Sequence, residues 1–63
     1  LKDDILISEV EGCRMFFNFS SKKKIIIVRG EYDIQIKNNA YFDQKENQLV
    51  FNGYGFMMLE ERQ

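Results

Sequence analysis

Tyr32, Ile34 and Ile36 alternate strictly with Asp33, Gln35 and Lys37, behind the glycine of Arg29-Gly30-Glu31 and ahead of Asn38-Asn39. Successive strand side chains point to opposite faces of a sheet, so this period of two predicts a half-buried strand. The same grammar runs along the rest of the chain. Residues 4–10 alternate imperfectly through Ile5, Leu6, Ile7 and Val10, and Glu11-Gly12 supplies a break suited to a turn or bulge. In the next run Cys13, Met15, Phe17 and Phe19 share one face, opposite Arg14, Phe16, Asn18 and Ser20, before the turn signal Ser20-Ser21-Lys22. Residues 24–29 hold Ile25, Ile26, Ile27 and Val28, the consecutive β-branched residues expected of a central strand covered on both faces.

Beyond residue 36, Asn38-Asn39 predicts a turn, because asparagine tolerates left-handed backbone. Tyr41 and Phe42 start a short strand, and the polar run Asp43-Gln44-Lys45-Glu46-Asn47 reads as a loop or hairpin tip. Residues 48–51 form another strand. Asn52-Gly53, the commonest type I′ dipeptide, predicts a tight hairpin with positive φ at Gly53, from which residues 54–59 return antiparallel. These elements define an all-β fold: a single antiparallel meander of six or seven short strands, closing as a small barrel or compact sandwich. Helix is minor at most, at residues 57–63. Ile25, Ile27, Tyr32, Ile34, Ile36, Leu49 and Phe51 fall on the inferred inward faces and are the expected core.

Sixty-three residues make one small domain, and a chain of that length buries only roughly 60% of its unfolded surface, so its stability margin is thin. Hydrophobic residues at 44% and charged residues at 30% are the balance of an ordinary folded protein rather than a disordered one. Nine Lys+Arg against ten Asp+Glu give a formal net charge of −1, which argues against a dedicated DNA or RNA binder. The single cysteine, Cys13, has no intrachain partner and points to a reducing, cytoplasmic setting. No apolar run is long enough for a transmembrane helix, and no basic-then-apolar leader opens the chain. Because it begins at Leu1, the chain reads as a fragment or trimmed piece of a longer protein.

Candidate chemistry is sparse. The absence of histidine removes the usual base for a Ser or Cys nucleophile and the commonest zinc ligand, so neither an enzyme nor a metal or cofactor site is expected. Cys13 stands in a stripe with Met15 and Phe17, where a thiol behaves as a small hydrophobe. Asp3-Asp4 and Glu60-Glu61 are neighbours that would point to opposite faces of a strand and cannot share a proton.

Lys22, Lys23 and Lys24 form the one basic cluster. Near Phe16, Phe17 and Phe19 they could serve a small single-stranded nucleic-acid-binding barrel, but lysines at a turn also keep a hairpin tip soluble and an edge unattractive to other strands. Nine aromatics, six of them phenylalanine, exceed what one small core obviously needs. Phe16, Phe42, Phe56 and Met57 fall partly off the inward registers. An exposed Phe/Met patch marks a protein interface, whereas a register slip at a bulge near Gly12 or Gly55 would carry these residues inward. Residues 54–59 are apolar and uncharged, a stretch expected to be covered by its own sheet or by a partner along a strand edge.

Ile27-Val28-Arg29-Gly30-Glu31-Tyr32-Asp33-Ile34-Gln35-Ile36, followed by Glu46-Asn47-Gln48-Leu49-Val50-Phe51-Asn52-Gly53, resembles the YabP/YqfC-like spore-formation family over roughly residues 25–59. That resemblance implies a short β-rich domain with a role in spore assembly and no catalytic residues to carry over. The function expected from the sequence is a non-enzymatic protein-interaction or assembly module. A strand edge would pair with a protein partner or a second copy, with Phe16, Tyr41, Phe42, Phe56 and Met57 filling the contact.

Overall fold

The computed structural model describes residues 3–62, all of them in strands, turns or irregular connections and none in a helix. Five strands form one antiparallel sheet: β1 (Ile5–Val10), β2 (Cys13–Asn18), β3 (Lys24–Ile27), β4 (Tyr32–Asp43) and β5 (Gln48–Glu61). β5 is the spine. β4 pairs with it along one side; along the other, β3 takes residues 48–51 and β2 takes residues 56–60, with β1 outside β2. The sheet curls into a half-barrel with a Cα radius of gyration of 10.8 Å.

Two turns form where the backbone chemistry calls for them. Glu11 (φ 47°) and Gly12 (φ 81°) are both left-handed between the paired residues Val10 and Cys13, the signature of a two-residue type I′ hairpin. At the β4–β5 tip, Asp43 Oδ1 accepts from the amides of Lys45 (3.1 Å) and Glu46 (3.3 Å), and Asn47 turns the chain at φ 54°.

Two other turn signals make no turn, and this is why there are five strands rather than six or seven. Asn38-Asn39 lies within β4 and Asn52-Gly53 within β5. The β4–β5 register passes from Ala40↔Phe51 to Asn38↔Phe56, so residues 52–55 bulge against Asn39 alone. Left-handed φ falls on Asn39 (54°) and Tyr54 (59°), not on the expected Gly53. Both glycines are required by proximity. A Cβ on Gly53 would lie 2.6 Å from the Ser21 carbonyl oxygen, and one on Gly55 2.3 Å from that of Asn39. The two long strands therefore bend together, and at that bend β5 exchanges β3 for β2 as its neighbour.

Ile5, Phe16, Val28, Leu49, Phe51, Met57 and Leu59 make the core on the concave face, with Ile26, Tyr32, Ala40 and Phe42 packed against it. Of the expected core, Leu49 and Phe51 are fully buried and Tyr32 contributes partly, whereas Ile25 (54% exposed), Ile27 (74%), Ile34 (37%) and Ile36 (50%) do not. Paired antiparallel residues project from the same face. Ile26 sits opposite Leu49 and so faces inward, which turns Ile25 and Ile27 outward. A bulge at Gln35 breaks the period of two within β4, so Ile36 lines up with Met58 on the outer face. β2 is likewise reversed from expectation: Phe16 and Asn18 are buried, while Met15, at 43% exposed, stands on the convex side.

Asn18 is the one fully buried polar side chain among the described residues. Its Nδ2 donates to the carbonyls of Lys22 (2.8 Å) and Asn52 (3.0 Å), and its Oδ1 accepts from the Ser20 amide (2.9 Å). It pins the β2–β3 loop to the bend of β5.

Candidate functional site

The convex face carries the apolar surface that the core does not use. Register sets Leu6, Phe17 and Phe56 side by side across β1, β2 and β5, and the next row on that face holds Ser8, Met15, Met58 and Ile36. The rings interlock. Phe17 stacks on Phe19 with centroids 4.6 Å apart and on Phe56 at 5.7 Å, the latter pair within 6° of parallel. Exposure remains high across the patch, at 44% for Leu6, 47% for Phe19 and 50% for Ile36. Below the bend a second row, Ile25–Val50–Tyr41, crosses β3, β5 and β4; Val50 is buried between neighbours that are themselves about half exposed.

The sequence-predicted contact residues divide between the two faces. Tyr41 and Phe56 lie on the convex side, in separate rows. Phe16 and Met57 oppose one another inside the core, at 4% and 0% exposed, so neither can fill a partner contact, and Phe42 packs half-buried against that core. The expected edge along residues 54–59 is also corrected: β5 is the central strand, flanked by β2 and β4. Leu6, Met15, Phe17, Phe19 and Met58 complete the patch in their place. The signal was present in the apolar stripe Cys13, Met15, Phe17 and Phe19, but β2 carries phenylalanine on both faces and period alone does not say which face is wet.

Lys22 and Lys23 are exposed in the β2–β3 loop, and Lys24 begins β3 opposite Phe51 and is half-buried. Acidic and basic groups pair at the opposite end of the molecule. Arg62 hydrogen-bonds Asp33 and lies 3.7 Å from Glu31, while its backbone amide donates to the Glu31 carbonyl at 2.9 Å. The Arg62 hydrogen bond, opposed by slight desolvation and helped by its charge, holds the Asp33 carboxyl below the usual carboxylate range. Arg14 reaches Glu9 at 3.5 Å across the β1–β2 ladder.

Among the described residues the concave spaces include three open grooves. One, of about 270 Å³, is bordered by Gly30, Tyr32, Phe42, Asn47 and Arg62. Among the described residues no three His, Cys, Asp or Glu side chains gather as a metal would require. Cys13 is a half-buried free thiol at the start of β2. No protein-family model matches this chain, and neither a curated protein nor a solved structure shows significant similarity to it.

Proposed function

We propose that this domain is a non-enzymatic protein-interaction and assembly module whose contact surface is the convex face. The observation that carries this reading is the continuity of the patch. Single exposed hydrophobics are normal, but a stacked Phe19–Phe17–Phe56 cluster flanked by Leu6, Met15, Met58 and Ile36 spans four strands of a small domain. Aromatic and methionine side chains supply much contact area and are enriched where proteins meet. The resemblance of residues 25–59 to the YabP/YqfC-like family offers spore formation as one setting for such assembly.

The test places a charge on the patch at positions already exposed, so that the fold is spared. Met15→Glu or Phe19→Glu should weaken capture of a protein partner by more than about tenfold, while Lys23→Glu in the loop leaves it unchanged. A second reading uses the phenylalanine stack as a platform for single-stranded nucleic acid beside Lys22 and Lys23. It predicts the reverse: oligonucleotide binding that falls steeply with salt and is lost in Lys23→Glu. That outcome would overturn the protein-interface reading.

A further inference from the structure

The sheet has three free edges, and the fold blunts two of them. β4 is interrupted by a bulge at Gln35 and by the left-handed Asn39 opposite the bulge of β5, and β3 is only four residues long and begins with the last of the lysines at 22–24. Bulges, shortness and lysine are the usual means by which proteins stop edges from pairing with other chains. β1 has none of these three, and its one charged side chain, Glu9, is paired with Arg14 of β2. It is a regular six-residue strand, Ile5–Val10, without lysine, proline or bulge, and every residue after Ile5 is exposed.

The hydrogen-bonding phase of this edge follows from the hairpin. A two-residue type I′ turn makes the flanking pair Val10 and Cys13 a hydrogen-bonded pair. The Phe19 amide donating to the Asp4 carbonyl at 2.8 Å keeps the same phase at the other end. Leu6, Ser8 and Val10 therefore spend their backbone groups on β2, whereas Ile5, Ile7 and Glu9 direct theirs to the open side. Those three side chains share the concave face with Phe16, the partner of Ile7 in register.

We infer that β1 pairs antiparallel with β1 of a second copy about a twofold axis through Ile7, joining two half-barrels into one continuous sheet. Three features select a second copy as the occupant. In this register Ile7 meets Ile7 and Ile5 meets Glu9, each a pair whose free N–H and C=O groups face one another. Charge does not oppose self-pairing within the strand, since its one ionic side chain, Glu9, is already held by Arg14 and meets an isoleucine rather than its own copy. The faces also continue across the axis. On the concave side Met57–Phe16–Ile7 runs on into Ile7–Phe16–Met57, covering the 57% of Ile7 exposed in one copy. On the convex side Phe56–Phe17–Leu6 runs on into Ser8–Met15–Met58. The pairing uses the edge and leaves the convex patch open, so it stands or falls separately from the function proposed above.

Sedimentation of the full chain across a concentration series, up to about 1 mM to admit a weak strand-edge contact, should show a monomer–dimer equilibrium. Ile7→Pro removes only an amide hydrogen that faces the open side, a position where an edge strand tolerates proline, and should raise the dissociation constant more than tenfold with β-sheet circular dichroism retained. Ile7→Lys, which sets two ammonium groups against each other, should do the same and serves if the proline variant misfolds. With Cys13→Ala as background, the Leu6→Cys, Ser8→Cys double variant should oxidise in air to a disulfide-linked dimer, because Leu6 meets Ser8 across the axis in a non-hydrogen-bonded pair, whose side chains lie closest; Val10→Cys should not. A chain that stays monomeric to the top of the series would overturn the proposal. So would a dimer indifferent to Ile7→Pro and Ile7→Lys, or one lost only in Met15→Glu, which would move the contact to the convex face.

Discussion

Replacing Asn18 tests how the half-barrel is held at its bend. The side chain is fully buried and makes three hydrogen bonds, to the Lys22 and Asn52 carbonyls and from the Ser20 amide. A neutral hydrogen bond is worth about 1 kcal/mol net, and its loss costs more where the abandoned partner stays dry, so Asn18→Ala should destabilise the domain by about 3 kcal/mol. A chain of this length is expected to have only about 3–9 kcal/mol in total, which makes this one of the most damaging single substitutions available.

Asn18→Asp separates hydrogen bonding from volume. It is nearly isosteric but replaces the Nδ2 donor with an oxygen facing carbonyls that lie 2.8 Å and 3.0 Å from Nδ2 in the parent. The carboxylate form is disfavoured by burial and by both carbonyls, so the folded-state pKa rises above the unfolded value of about 3.9. Protons then bind the folded state more tightly. The Asp variant should be less stable than the Ala variant at pH 7 and should recover as the pH is lowered through the raised folded pKa toward the unfolded one. Urea unfolding followed by circular dichroism, with the m-value held constant, reads both effects. An Asn18→Ala variant within about 0.5 kcal/mol of the parent would refute the reasoning, as would an Asp variant that matches Ala at pH 7 and gains nothing on acidification.

Two further outcomes follow from the same geometry. Gly55→Ala should cost about 1–3 kcal/mol, because its Cβ would sit 2.3 Å from the Asn39 carbonyl oxygen and two backbones must part; an unchanged melting temperature would show that the bend is slack. The Asp33–Arg62 contact depresses the Asp33 pKa, so its small contribution is present above the unfolded aspartate value and lost as the pH falls through the lower folded value. Chemical shifts of the Asp33 carboxyl should therefore titrate at lower pH in the parent than in Arg62→Ala, and coincident titrations would dismiss the contact.

Much of the fold was legible in the sequence, because local backbone chemistry and period-2 patterning act within a few residues. The strands, the Glu11-Gly12 turn, the Asp43–Asn47 tip and the all-β class were all recoverable in this way. What misled was turn chemistry used for another purpose. Asn38-Asn39 and Asn52-Gly53 are the same left-handed-tolerant, side-chain-poor residues whether a chain reverses or merely bends, and only the alignment of β4 with β5 made them one shared bulge. The same limit governed the candidate site. Alternation in β2 and β3 shows that two faces exist, but both faces are apolar, so the choice of inside depended on which residues met Leu49, Phe51 and Met57 across the sheet. Phe16 and Met57 thus became core, while Met15, Phe17 and Phe19 became surface. A strand's period fixes its faces relative to one another; which face is dry is decided only when distant strands pair, because a one-residue change of register exchanges them all.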